Sequence, residues 1–243
     1  MPEKRPPFKR PSKKHEPRGL SILYEDHALI IVNKAHGLLT VSTDTEKEKT
    51  AYFLLTNYVK KGNARSKARI FIVHRLDRDT SGILVFAKTE KIKRYLQDEW
   101  ANFDKTYFAV IHGHMKDKEG VLTSYLQENH AHRVYSVKDP KKGRLSSTGY
   151  KVIRTSKDHS LLEVSLLTGR KHQIRVHFSE KGHPVVGDKM YGRMDKGIKR
   201  LTLHAASLSF VHPYTKETMT FETPCPAYFK TLVKDRGIKR EQH

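Results

Sequence analysis

Residues 71–88 constrain this chain more than any other stretch. Phe71-Ile72-Val73 is apolar, His74-Arg75-Leu76-Asp77-Arg78-Asp79-Thr80-Ser81-Gly82 is polar and charged, and Ile83-Leu84-Val85-Phe86-Ala87 is apolar again. The order is strand, charged loop, strand. Buried strands on both sides hold a loop rigidly, and rigidly held loops are where carboxylates act. Asp77 and Asp79 both lie in this loop. Aspartates in turns also hydrogen-bond their own backbone, so the loop alone does not choose between a chemical and a structural role.

The flanking sequence supplies a sheet and a few helices. Ile22-Leu23-Tyr24 leads to a turn at Glu25-Asp26-His27, and Ala28 to Lys34, Thr106 to Ile111, Val121 to Gln127, Gly149 to Arg154, Leu161 to Leu167, Leu201 to Phe210 and Thr218 to Thr223 read as strands. Ala51 to Lys61 carries Phe53, Leu54, Leu55 and Tyr58 at helical spacing, and Thr89 is placed to cap a helix through Ile92, Tyr95, Leu96 and Trp100. Lys171 to Gly182 fits either a helix or an alternating strand; the terminal glycine favours the helix. Asn129 to Ser147, broken by Pro140 and Gly143, reads as loop and hairpin. Many strands with about three helices predict an α+β fold: a mixed, mostly antiparallel β-sheet flanked by helices and loops.

Charge narrows the partner. The 243 residues carry 47 Lys and Arg against 26 Asp and Glu, a formal net charge of +21. Such an excess repels itself in a compact chain, and a polyanion relieves that cost, so nucleic acid is the leading partner. A membrane surface is the weaker candidate, because the sequence has no long apolar span and no basic amphipathic anchor. Cys225 is the one cysteine, which excludes an internal disulfide and suits a reducing cytoplasm. The fifteen histidines are scattered without a metal-ligand pattern, and no dinucleotide or phosphate-loop fingerprint occurs, so neither metal nor cofactor is expected.

Residues 1–17 are basic and proline-rich and are expected to be a disordered arm. Residues 18–232 are expected to form one folded domain, and 233–243 a charged tail.

Two further clusters carry chemistry. Lys105-Thr106-Tyr107 places a tyrosine on a strand, and Thr168 to His177 is dense in bases and amides. Tyr107 could be a core aromatic, and Arg170 and Arg175 could be solvated or bind phosphate without specificity.

Together these motifs resemble the RluA-type pseudouridine synthases. His74-Arg75-Leu76-Asp77 with Thr80-Ser81-Gly82 and the following strand is similar to that family's active-site motif. Tyr24-Glu25-Asp26 with Leu29 to Lys34 and Gly37 to Leu39 resembles its first motif. Lys105 to Tyr107 resembles its tyrosine motif, and Thr168 to His177 with Gly182 to Pro184 and Gly187-Asp188 its third. Leu203 to Ala205 with His212-Pro213 resembles its last, and the ordered set covers about residues 20–226.

The resemblance implies that uridine in RNA is isomerised to pseudouridine. It places the catalytic aspartate at Asp77, its pairing arginine at Arg175, and at Tyr107 a ring that stacks on the flipped uracil. It implies an RNA contact at Arg75, which holds the opened RNA; Arg170 and His172 are further expected RNA contacts, and Lys34 and the basic loop Lys60 to Arg69 are weaker candidates. It implies no cofactor and suits a cytoplasmic monomer acting on large-subunit ribosomal RNA or, less favoured, tRNA. Ala35-His36 departs from the family, which usually has proline after the lysine. No S4-type RNA-binding module is expected. The competing readings are a non-catalytic RNA-binding or ribosome-assembly protein on the same fold, and a metal-dependent nuclease, which the sparse carboxylates disfavour.

Overall fold

The computed structural model describes residues 16–63, 65–193, 197–198 and 200–234. All but two residues of the expected arm, and all but two of the expected tail, lie outside the described residues. In chain order the elements begin with β1 (Leu20–Glu25), β2 (Leu29–Lys34), α1 (Ala51–Lys60), β3 (Phe71–Ile72), β4 (Ser81–Ala87) and α2 (Glu90–Asp98), which runs into a 3-10 turn at Glu99–Asn102. There follow β5 (Asp104–His112), β6 (Glu119–Glu128), β7 (Val134–Val137), β8 (Arg144–Thr155), β9 (His159–Leu166) and α3 (Gln173–Glu180). The chain closes with β10 (Leu203–Val211), β11 (Thr218–Glu222) and α4 (Ala227–Leu232). It divides into two compact units, the first up to Asp104 with Ala205–Thr223, the second Lys105–His204 with the chain from Pro224 onward.

In the first unit the strand order is β1-β2-β4-β10, with β3 on β4 and β11 on β10. All seven residues of β4 are buried, as its continuous apolar run predicts. β2 pairs antiparallel with β4 from Leu29 opposite Ala87 to Lys34 opposite Gly82, which brings Lys34 to the end of the charged loop. Gly82 has φ +116°, and a Cβ there would lie 2.2 Å from the Ala205 carbonyl oxygen, so only glycine lets the two strands approach here. Thr89 caps α2 by accepting from the Ile92 N–H at 3.2 Å. That fixes the rotation of α2 so that Ile92 and Leu96 enter a core with Ile31, Val85, Phe103 and Phe210.

In the second unit the order is β5-β9-β8-β6-β7, all neighbours antiparallel. α3 lies against β6, β7 and β8 and buries every residue from Gln173 to Phe178. Its end explains why the glycine was decisive. Gly182, at φ +83°, donates to the Ser179 carbonyl at 3.0 Å, and His183 donates to the Phe178 carbonyl at 2.9 Å. This is a Schellman closure, which needs a left-handed residue after the helix.

The fold is α+β, its sheets mixed and mostly antiparallel, as the sequence predicts. Two segments differ from expectation. The stretch read as loop and hairpin also contributes β7 and the first residues of β8, which pair across β6. α4 was not foreseen. Its Phe229 is fully buried, and so is Val233, the first residue of the expected tail; both pack on Val110, Leu161 and Val186. Burying one such side chain stabilises by about 1.5–3 kcal/mol, which outweighs the polar character of its neighbours.

Candidate active site

The charged loop is clamped from several directions within the first unit. The Thr40 hydroxyl donates to the Leu76 carbonyl at 2.8 Å and accepts from the Leu76 N–H at 3.2 Å, so one side chain satisfies both backbone groups. The Lys34 ammonium donates to the carbonyls of Ala35 at 3.1 Å, Leu38 at 2.7 Å and Arg78 at 3.1 Å. Gly37 N–H donates to the Arg78 carbonyl at 2.9 Å. His36 Nδ1 bonds the Asp79 carbonyl at 2.8 Å, and a carbonyl partner makes that nitrogen the protonated one. At the loop's start, His74 Nε2 accepts from the Val85 N–H at 3.2 Å, and its ring lies 4.3 Å from that of Trp100. Within the loop, Thr80 N–H donates to the Asp77 carbonyl at 3.2 Å and closes a turn. Asp77 is therefore a half-buried carboxylate on a backbone held at nearly every neighbouring residue, a pre-organised arrangement.

The same geometry corrects one expectation. Lys34, expected as an RNA contact, is fully buried. Its three carbonyl partners make it a brace for the loop, since an ammonium with no water needs acceptors supplied by the protein. Ala35 follows Lys34 where the family usually has proline, and the neighbouring His36 ring bonds the loop at the Asp79 carbonyl. Asp79 engages His36 through its backbone carbonyl, and its half-exposed carboxylate lies 4.0 Å from His36 Nε2.

In the second unit Arg175 is the centre of a buried network. Its Nε donates to Asp188 Oδ2 at 2.7 Å and its Nη2 to Asp188 Oδ1 at 2.9 Å. Asp188 Oδ1 also accepts the N–H groups of Met190 at 2.9 Å and Tyr191 at 3.0 Å. Burial pushes the Asp188 carboxyl up, but the Arg175 hydrogen bonds and charge, with the two backbone donors, outweigh it and hold the group below its usual value. The Arg175 guanidinium also lies 5.1 Å from the Tyr191 ring centre, and that of Arg133 lies 5.0 Å from it. The Tyr191 hydroxyl accepts from the Val134 N–H at 2.9 Å and bonds His172 Nδ1 at 2.9 Å. Arg175 is thus fixed in direction before any substrate arrives.

The other expected residues fall as follows. Arg75 is exposed on the clamped loop. Arg170 is exposed on the turn before α3, and that turn is shaped by Gln173, whose Oε1 accepts from Thr168 Oγ1 at 2.7 Å and the Arg170 N–H at 3.1 Å. His172 precedes α3 with φ +53° and is tied to Tyr191. Tyr107 lies on β5 opposite Val164 of β9 and is 9% exposed. Arg75 and Asp77 share one loop, and Arg170, His172 and Arg175 share one turn and helix. Sequence reasoning gave no role to Asp188, Tyr191 or Thr40. Gly187-Asp188 stood out as a motif, but nothing in it names Arg175 as its partner. Among the described residues no three His, Cys, Asp or Glu side chains gather as for a metal ion, and no helix is long and apolar enough to cross a membrane.

Comparison with known proteins places the chain. Residues 28–180 match the family model of RNA pseudouridylate synthase. The chain is 36% identical over 219 residues to the uncharacterized RNA pseudouridine synthase YhcT of Bacillus subtilis (strain 168), covering 88% of this chain and 72% of that one. It is 35% identical to ribosomal large subunit pseudouridine synthase C of Vibrio vulnificus (strain CMCP6), with 90% and 70% covered. The solved structure of human RNA pseudouridylate synthase domain containing 4 has the same fold, with a TM-score of 0.72 at 21% identity over 86% of this chain and 90% of that one. The chain belongs to the RNA pseudouridylate synthase family, in its RluA-type branch. It is a pseudouridine synthase, an isomerase that acts on RNA.

Proposed function

We propose that this enzyme converts specific uridines of structured RNA to pseudouridine with Asp77 as its reacting carboxylate. The observation that carries this reading is the clamped loop: Thr40, Lys34 and His36 hold the backbone on both sides of Asp77. In the reaction the bond from ribose C1′ to uracil N1 breaks, the base turns over, and C1′ bonds to C5. The C5 proton leaves and N1 gains one, so no oxidant or water is consumed. An ionised aspartate serves this either by adding to C1′ or by removing the C2′ proton. Arg175 is assigned the fixed positive charge that favours ionisation, and Tyr107 the aromatic face and hydroxyl at the uracil. Arg75, Arg170 and His172 are assigned to the RNA, whose target base must leave its stack to react.

Relatives named for the large ribosomal subunit, such as the Vibrio enzyme, favour large-subunit ribosomal RNA over tRNA as the substrate. The net charge of +21 favours a phosphate-rich partner of that kind. A cytoplasmic monomer is the form this reading assigns.

Tritium release from RNA carrying 5-tritiated uridine tests the assignment. The wild-type chain releases tritium, and Asp77→Asn releases none while binding the RNA with similar affinity. An Asp77→Asn protein that turns over at the normal rate overturns it.

A further inference from the structure

A cavity of ≈ 470 Å³ opens in the first unit at the end of β4 away from the charged loop. Its walls come from the end of α1, the approach to β3 and the junction of β4 with α2. Its charge is unbalanced. Lys61, Lys67, Arg69 and Lys88 face it, against Glu25 and Glu90. Both carboxylates are already engaged. Glu25 takes Lys88 at 2.7 Å and the Tyr58 hydroxyl at 2.9 Å. Glu90 takes Lys93 at 3.2 Å and Arg94 at 3.4 Å, neither of which lines the cavity. Among the described residues, Lys61, Lys67 and Arg69 have no carboxylate partner. Arg69 makes a cation–π contact instead, its guanidinium lying 4.7 Å over the Phe71 ring.

Three exposed cations around one concavity form a focused positive field, which suits successive phosphates of a polynucleotide strand. We propose that this cavity binds the phosphodiester backbone of the substrate RNA at a segment away from the target uridine. The proposal rests on the reading that the chain acts on RNA. Ser81 follows the Asp77 loop and Ala87 precedes Lys88, so the length of β4, about 20 Å at roughly 3.3 Å per residue, lies between the loop and the cavity. The contact positions the RNA and reads no sequence, because phosphates carry none.

The test compares the full chain with the variant Lys61→Gln/Lys67→Gln/Arg69→Gln, using transcribed large-subunit ribosomal RNA as the probe. The unfolding midpoint is checked first, and these exposed positions leave it unchanged. The expected result is weaker RNA binding and a plot of log affinity against log salt shallower by about 2, at roughly 0.7 per phosphate contact. Amine acylation read by mass spectrometry is expected to show Lys61 and Lys67 shielded by RNA in the wild-type chain. An unchanged salt slope with unshielded lysines overturns the proposal. So does shielding by inorganic tripolyphosphate without shielding by RNA, which marks a small-ligand site. Wild-type chain that shields both lysines with RNA yet releases no tritium overturns the catalytic reading and leaves this one standing.

Discussion

Arg175 and Asp188 form a two-bond fork, Nε to Oδ2 at 2.7 Å and Nη2 to Oδ1 at 2.9 Å, with the Asp188 side chain wholly buried. The pair fixes the guanidinium plane, and a lysine could not reproduce it. Asp188→Asn is expected to destabilise the protein by about 3 kcal/mol, because it leaves a buried guanidinium without its counter-charge. Turnover is expected to fall further than RNA affinity. Urea unfolding and tritium release check both parts. The wild-type pair has an acid signature as well. The Asp188 carboxyl titrates below its ordinary value when folded, so its contribution is complete above about pH 4 and lost as pH falls through the lower folded value. The Asn variant loses that slope.

Lys34→Met tests the brace under the Asp77 loop. The carbonyls of Ala35, Leu38 and Arg78 each lose the ammonium donor, the last keeping the Gly37 N–H, and a cost of about 3 kcal/mol is expected in urea unfolding. The catalytic rate is expected to drop while RNA affinity holds, since the ammonium is buried. Weakened RNA binding at unchanged stability would return Lys34 to the RNA surface.

His204 makes stability depend on pH in the mildly acid range. Burial, helped by Arg200, pushes its imidazole down to about 4. Between the ordinary value of about 6.5 and that folded value, the unfolded chain binds a proton that the folded chain refuses. Stability is expected to fall by about 3 kcal/mol as pH drops through this window, with no further loss from this group below it. Buried His177, also pushed down by desolvation, adds in the same direction. Unfolding midpoints at a series of pH values check this, and His204→Gln is expected to flatten the profile.

Tyr107 is assigned two tasks that substitution separates. Tyr107→Phe keeps the ring and loses the hydroxyl, so a lower kcat with little change in KM is expected. Tyr107→Leu loses both, and KM is expected to rise as well. A general acid or base contributes roughly 10²- to 10⁴-fold, so a Phe variant with normal kcat assigns Tyr107 to stacking alone.

Local chemistry was legible in the sequence wherever a short pattern sets the outcome. The continuous apolar run of 83–87 became the fully buried β4, Thr89 became the cap of α2, and Gly182 became the left-handed end of α3. These depend on backbone preferences and spacing within a few residues. The motifs around Asp77, Tyr107 and Arg175 likewise marked the family before any fold was known. Tertiary structure decided what depends on residues far apart in the chain. It turned Lys34 inward, because pairing of β2 with β4 sets it opposite Gly82 and under Arg78, 44 residues away. It joined Asp26 to His212 across 186 residues, with a 3.0 Å bond that no local pattern announces. It paired Arg175 with Asp188, and it buried Val233, the first residue of a segment whose composition reads as a tail, beside Phe229. The physical reason is the same in each case. A side chain's type limits which bonds it can make, but burial and register determine which partner is within reach.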